Sequence, residues 1–169
     1  MKKTYYLLLV VLATSFQAMG QKSILTPENN PVDKSLIHEE NYEMAWYMLK
    51  DSSKIDIGKV QTEIQKKKKR IYIISTVEMP GAASLWVDST IVGRRKFEPI
   101  YHSSFNQQRD MVLNFSDTVT GYYNDKQSGK KIEISESVDA PFFDSNFYPQ
   151  FIRWLPLKTG YNGSIAIFD

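Results

Sequence analysis

The chain has no cysteine among its 169 residues and only two histidines, His38 and His102. Without cysteine there are no disulfides, no thiolate metal ligands and no attachment point for a lipoprotein lipid. Two histidines with scattered carboxylates do not match the spacing of a helix-borne zinc site, so we expect no metal and no cofactor. His38-Glu39-Glu40 is interpreted as a solvated acidic turn before the first long strand.

Catalytic motifs are equally scarce, and we expect no enzyme. The chain contains no G-x-S-x-G elbow and no recognisable order of a serine, a histidine and an aspartate. A pair of carboxylates, as polysaccharide hydrolases use, stays open as an alternative. The acids nearest to aromatic clusters are Asp88, Asp139 and Asp144, and for Asp144 the sequence favours a helix cap over catalysis.

The first twenty residues have the order of a secretory signal peptide. Lys2 and Lys3 precede the apolar run Tyr5 to Ala13, and Ala18-Met19-Gly20 supplies small residues before Gln21. The alternative, a membrane anchor, requires roughly 20 apolar residues, and this run is shorter. We therefore expect residues 1–20 to be removed and the protein to be periplasmic or secreted.

The remaining chain is electrically balanced, with 19 basic and 19 acidic residues once Lys2 and Lys3 are set aside. A balanced charge predicts no nucleic-acid partner. The basic run Lys66 to Arg70 lies between two β-prone segments and indicates a charged hairpin tip. Contact with anionic lipid headgroups is the alternative interpretation of that run.

Residues 21–41 are interpreted as a polar N-terminal arm, interrupted by Pro27 and Pro31. Residues 42–169 consist of short β-prone runs separated by turn residues, which predicts one domain with eight or nine antiparallel strands in a meander. Several runs are apolar on both faces, so the sheet needs a cover of helix or ligand. The predicted helix, about Asp144 to Leu155, places Phe147, Phe151 and Leu155 on one face, although Pro149 lies within its first turns.

The aromatic-rich segment from Phe142 to Tyr161 is the candidate functional region. It is interpreted either as a core helix against the sheet or as a lid over an apolar cavity with Arg153 at its rim. The hypothesis of a binding module places an acyl chain or another apolar ligand between the sheet and this helix. Its predicted ligand-binding residues are Met44, Trp46, Trp86, Phe147, Phe151 and Trp154.

Three stretches in a fixed order resemble a known family. They are Leu85-Trp86-Val87-Asp88 with Phe97-Glu98-Pro99-Ile100, Met111 to Phe115 with Val119 to Tyr123, and Phe143 to Phe147 with Arg153 to Leu157 and Gly160-Tyr161. They resemble a domain-of-unknown-function family of secreted Bacteroidetes proteins, which is distantly similar to the LolA/LolB-like lipoprotein carriers. The resemblance covers most of residues 42–169.

The resemblance implies a mainly β fold, in which one strongly curved antiparallel sheet forms a half-barrel with a short helix against its concave face. It implies no catalytic residues. Members usually continue for several strands beyond the Gly-Tyr turn, so we expect either truncation at Asp169 or a sheet that lacks its last strands. The apolar run Ile165 to Phe168 would be an exposed edge at the terminus, which favours truncation. Together with the leader, it predicts a non-catalytic carrier-like module of the periplasm or cell surface. The alternative is an interaction domain of the cell envelope that binds a protein partner and no small ligand.

Overall fold

The computed structural model of the chain describes residues 24–169. The predicted signal peptide lies outside the described residues. The described part is mainly β, with one short α-helix, and most of its strands belong to one large antiparallel sheet. No helix in this part is both long enough and apolar enough to span a membrane.

Twelve strands and one helix occur in the described residues. The strands are β1 (Ile24–Leu25), β2 (Glu40–Lys50), β3 (Ser53–Lys67), β4 (Arg70–Glu78), β5 (Trp86–Gly93), β6 (Pro99–Phe105), β7 (Arg109–Asn114), β8 (Thr118–Asp125), β9 (Lys131–Ser137), β10 (Phe143–Asp144), β11 (Ser164–Ile165) and β12 (Ile167–Phe168). The helix α1 is Tyr148–Arg153, and a 3₁₀ turn occupies Lys34–Leu36.

The main sheet contains eight strands in the order β2 to β9, and every neighbouring pair is antiparallel. This order confirms the predicted antiparallel meander. Its edges are β2 and β9. Strand alternation explains the assignment, since Val60, Thr62 and Ile64 are buried on β3 while the residues between them are more exposed.

The basic run lies at the tip of the β3–β4 hairpin, as the sequence predicted. Lys67 pairs with Arg70, and Lys68 and Lys69 form the turn between them. The Nζ atom of Lys66 donates a hydrogen bond to the carbonyl oxygen of Ile37 at 3.1 Å. One lysine of the run is therefore engaged by the N-terminal segment rather than held out in solvent.

The core lies between one face of the sheet and the segments before and after it in the chain. Its members are Leu25, Ile37, Ile64, Ile71, Ile73, Val92, Phe97, Phe143, Phe147, Phe151, Trp154 and Leu155. Leu25 and Ile37 come from the segment expected to be a polar arm, so that segment contributes directly to the core. The other face carries half-buried residues such as Tyr72, Ile91 and Tyr101, which lie in one row across three strands.

The helix is shorter than the sequence predicted. It begins at Tyr148 with Pro149 in its first turn and ends at Arg153, whereas Asp144 belongs to β10. Phe147 occupies the N-cap position, and no side chain caps the helix. The prediction that Asp144 caps a helix is therefore wrong. Its carboxylate bonds instead to side chains of the main sheet.

Candidate functional site

Three of the six predicted ligand-binding residues lie inside the core. Phe147, Phe151 and Trp154 have essentially no exposed surface. The ring centres of Phe147 and Trp154 are 5.8 Å apart, and those of Phe143 and Phe151 are 4.3 Å apart. These aromatic rings fill the space between α1 and the sheet, and they line none of the cavities described below.

The other three predicted residues are Met44, Trp46 and Trp86. They lie on the face of the sheet that carries the core, but outside the part of that face that α1 covers. Strand register places Met44 opposite Val60, Val60 opposite Val77, and Val77 opposite Trp86. Residues directly opposite each other on antiparallel strands point to the same face. These four apolar side chains therefore form one row across β2, β3, β4 and β5.

A second, shorter row lies beside the first. Trp46 is opposite Gly58, and the Met79 side chain lies on the far side of that glycine. A Cβ atom at Gly58 would stand 2.6 Å from the carbonyl oxygen of Glu78, so this close approach of backbones requires glycine. We call Met44, Trp46, Val60, Val77, Met79 and Trp86 the apolar strip.

The apolar strip is partly open to solvent. Met44 is 44% exposed, Trp46 is 37% exposed and Met79 is 40% exposed, while Val60 and Val77 beneath them are buried. Adjacent exposed apolar residues are unusual on a protein surface and mark binding sites or interfaces. The strip is thus an exposed apolar surface on the face that carries the core.

Two cavities adjoin the strip and share Trp86 and Arg109. The first, the apolar-end cavity, has a volume of about 430 Å³ and is lined by residues that include Met79, Trp86, Arg109 and Tyr123. The second, the polar cavity, has a volume of about 480 Å³. Its lining residues are Trp86, Asp88, His102, Arg109, Ser145, Asn146, Tyr148, Ile167 and Asp169. Both volumes fall in the range typical of small-ligand sites.

A network of buried polar groups lies beside the polar cavity, and His102 and Asn146 are its members on the cavity wall. The Nδ1 atom of His102 is 2.9 Å from Asp144 Oδ1, and Thr90 Oγ1 donates to Asp144 Oδ2 at 3.2 Å. The Asn146 amide donates to Thr90 Oγ1 at 2.8 Å. Because the imidazole is oriented by a carboxylate and borders a cavity, the pair has the geometry of a base with its orienting group.

A second group of polar contacts centres on Trp86. Its indole Nε1 donates to Asp88 Oδ1 at 2.7 Å and to Ser104 Oγ at 3.1 Å. Arg109 reaches Ser104 Oγ only at 3.5 Å, and its Nε atom is buried without a partner among the described residues. The orientation of Trp86 is therefore fixed, while the guanidinium of Arg109 retains unused hydrogen-bonding capacity.

Arg153, the predicted rim residue, ties α1 to the first strand of the sheet. Its Nη2 atom is 3.1 Å from Glu40 Oε2, its Nη1 atom donates to Gln150 Oε1 at 2.8 Å, and its guanidinium lies 4.7 Å from the ring centre of Tyr42. Burial lowers the pKa of Arg153. The hydrogen bond to Glu40 and the charges of Tyr42 and Glu40 together outweigh this effect, so the pKa lies above its usual value.

The sequence did not predict the role of His102, Asn146 or Arg109. A signal was present, because alternation places Asp88 and Thr90 at inward positions of β5, and His102 and Ser104 at inward positions of β6. Polar residues at inward positions of a strand require partners. Asp88 and Asp144 both belong to this region, whereas Asp139 is exposed elsewhere. Within residues 24–169, no three histidine or acidic side chains gather as metal ligands would.

The chain belongs to a family of proteins of unknown function, DUF3108, whose family model matches residues 41–169. The match begins at the second residue of β2 and includes the whole main sheet, α1 and the C-terminal strands. No curated protein and no solved structure matches the chain. The family therefore defines the class of this protein without assigning an activity.

Proposed function

We propose that this protein is a non-catalytic binding or carrier-like module that holds an acyl chain or another apolar ligand on the apolar strip. The observation that carries the proposal is the row Met44, Val60, Val77 and Trp86, flanked by the exposed side chains of Trp46 and Met79. Covering such surface with a hydrocarbon chain gains about 25 cal/mol for each Å² removed from water.

The shape of the site supports an elongated ligand rather than a compact one. The strip crosses four strands, and strands in a sheet lie about 4.8 Å apart, so the row from Met44 to Trp86 spans roughly 14 Å. It ends at the cavities that share Trp86 and Arg109. An extended chain along the row would thus terminate beside the guanidinium of Arg109, which lines both cavities.

The proposal includes the curvature of the sheet and the compartment. A half-barrel of the LolA type would place the strip in a hollow, where an acyl chain is shielded from water. The leader-like residues 1–20 support a periplasmic or secreted location, in which a carrier for apolar molecules across an aqueous space has a clear use. A protein partner in the cell envelope would then deliver or receive the ligand.

Binding of a fluorescent fatty-acid analogue tests the proposal. The wild-type protein should bind the analogue with saturation, and the double variant Met44→Ser/Trp46→Ser should bind at least about tenfold more weakly, corresponding to about 1.4 kcal/mol. Leu157→Ser is the matched control, because Leu157 is similarly exposed but lies after α1 and outside the strip. Absence of saturable binding, or an equal loss in the control, would contradict the proposal.

A hydrolase acting on polysaccharide is the second candidate, favoured by two buried carboxylates near the polar cavity, Asp88 on its wall and Asp144 behind His102. Trp86 and Tyr148 on the cavity wall would supply surfaces for sugar rings. Release of reducing ends from soluble polysaccharides, abolished in His102→Ala, would support this candidate. Binding of the fatty-acid analogue that survives His102→Ala, with no sugar release by the wild type, would favour the carrier.

A further inference from the structure

The free edge of the main sheet has an unusual composition. Among residues 24–169, β2 is hydrogen-bonded to no strand other than β3, and all but two of its eleven residues are exposed. Between Asn41 and Leu49 the strand contains no proline and a single charged residue, Glu43. Natural sheets protect their edges with prolines, lysines or bulges, since a bare edge pairs with other strands. The irregularity in the β2–β3 pairing places its extra residue, Ile57, on β3, so β2 itself is regular.

We propose that β2 pairs antiparallel with β2 of a second copy of this chain, about a two-fold axis at Ala45. In this register Glu40 of each copy is opposite Lys50 of the other. Tyr42 is likewise opposite Met48, and Met44 is opposite Trp46. The β2 sequence is therefore complementary to a second, antiparallel copy of itself. Opposite charges meet at both ends, and apolar residues meet in the middle.

The charges at the two ends favour this register over its neighbours. Glu40 lies at the start of β2, where Arg153 holds its carboxylate at 3.1 Å, and Lys50 is the last residue of the strand. Shifting the register by two residues removes the pairing of Glu40 with Lys50. A shift by one residue would place the strip face of one copy beside the opposite face of the other copy, so Met44 and Trp46 of the two copies would no longer meet. The match of charge and face together selects a second copy as the occupant of this edge.

Pairing at this edge joins the apolar strips of the two copies. Met44 and Trp46 lie on the strip face, so their reciprocal contacts continue each row into the other sheet. This inference does not require the proposed ligand. It predicts a dimer whether or not an acyl chain binds, and its readout is covalent cross-linking rather than ligand affinity.

Cysteine cross-linking tests the dimer directly, because the native chain has no cysteine. The axis at Ala45 places the two copies of that residue opposite each other, at a Cα separation of about 4.5 to 5.5 Å, which suits a disulfide. Ala45→Cys should form a linked dimer under mild oxidation. Asn41→Cys is the matched control on the same strand. Its two copies would be eight residues out of register, roughly 27 Å apart, and it should stay monomeric.

Substitutions of Lys50 test the predicted charge pairing between Glu40 of one copy and Lys50 of the other. Ala45→Cys combined with Lys50→Glu should lower the yield of linked dimer several-fold, and Ala45→Cys combined with Lys50→Arg should retain it. Sedimentation of the cysteine-free protein should show a concentration-dependent dimer, which guards against a misfolded variant. A monomer at all concentrations, equal cross-linking at positions 41 and 45, or a dimer that fails to cross-link at position 45 would each overturn the proposal.

Discussion

The carboxylate of Asp144 lies 2.9 Å from Nδ1 of His102 and joins the segment after the main sheet to the centre of that sheet. Both side chains are buried, and the second carboxylate oxygen accepts a hydrogen bond from Thr90. The contact fixes β10 and the start of the aromatic segment over the middle strands. It also places a polar network between the core and the polar cavity.

The first prediction concerns that network. Asp144→Ala should lower the free energy of unfolding by about 1–3 kcal/mol, because it leaves His102 and Thr90 buried without their partner. Urea unfolding followed by circular dichroism measures the loss. Asp139→Ala is the control, since Asp139 is exposed and should change stability by less than about 0.5 kcal/mol. Equal effects of the two substitutions would contradict a structural role for the Asp144 contacts.

The second prediction separates the size of a buried indole from its polar group. Trp154 is 1% exposed, and its Nε1 atom has no hydrogen-bond partner among the described residues. Trp154→Ala should cost about 3–5 kcal/mol through lost packing against Phe97 and Phe147. Trp154→Phe should cost far less, because it removes the unsatisfied donor together with part of the ring. Thermal unfolding of both variants checks the difference, and a similar loss in each would refute it.

The third prediction rests on a close approach of two strands. A Cβ atom at Gly121 would lie 1.9 Å from the carbonyl oxygen of Val112 on the neighbouring strand. Gly121→Ala should therefore destabilise the protein by at least about 1–3 kcal/mol, since the backbones must separate. Gly163→Ala is the matched control, because its nearest neighbour would be an ordinary 3.6 Å away. Chemical unfolding should show a lower midpoint for Gly121→Ala only.

The fourth prediction concerns acid stability at the β8–β9 loop. Hydrogen bonds from the Ser128 side chain and from the backbone of Gln127 and Ser128 hold the pKa of Asp125 below the ordinary 3.8. Because the pKa of Asp125 is lower in the folded state, the ionised carboxylate stabilises the folded protein above pH 3.8. This stabilisation is lost as the pH falls through the pKa that Asp125 has in the folded state. Asp125→Asn should thus lose stability at neutral pH and converge with the wild type in acid.

Unfolding midpoints in urea at pH 7 and at the most acidic pH at which the protein stays folded give the comparison for Asp125. Asp139→Asn removes one exposed carboxylate elsewhere and serves as the control for net charge. A difference between Asp125→Asn and the wild type that stays constant with pH would show that the loop hydrogen bonds do not depend on the charge of the carboxylate.

Much of the fold could be predicted because strand alternation is a local signal. The hairpin at Lys68 and Lys69 and the loop after Asp125 follow from turn residues between β-prone runs. The helix was predicted too long, since Phe147, Phe151 and Leu155 have helical spacing although Pro149 allows the helix only from Tyr148 onward. Periodicity identifies an apolar face, but it does not determine where hydrogen bonding stops.

The candidate site was likewise only partly predictable from the sequence. Met44, Trp46 and Trp86 could be selected from the sequence as large apolar residues, but their common row follows from the register of four strands. Register depends on pairing between residues distant in the chain, which composition does not specify. His102 and Asp144 are 42 residues apart, and nothing in the sequence between them indicates that they meet.

The sequence by itself determined the absence of thiol chemistry and the mainly β meander, because each depends on composition or on spacing within a few residues. The export signal expected at residues 1–20 stays a prediction. Only the tertiary structure decided which aromatic residues fill the core, which form an exposed strip and which aspartate orients a histidine. Those outcomes depend on which strand ends the helix covers, and that is fixed by long-range packing rather than by local sequence.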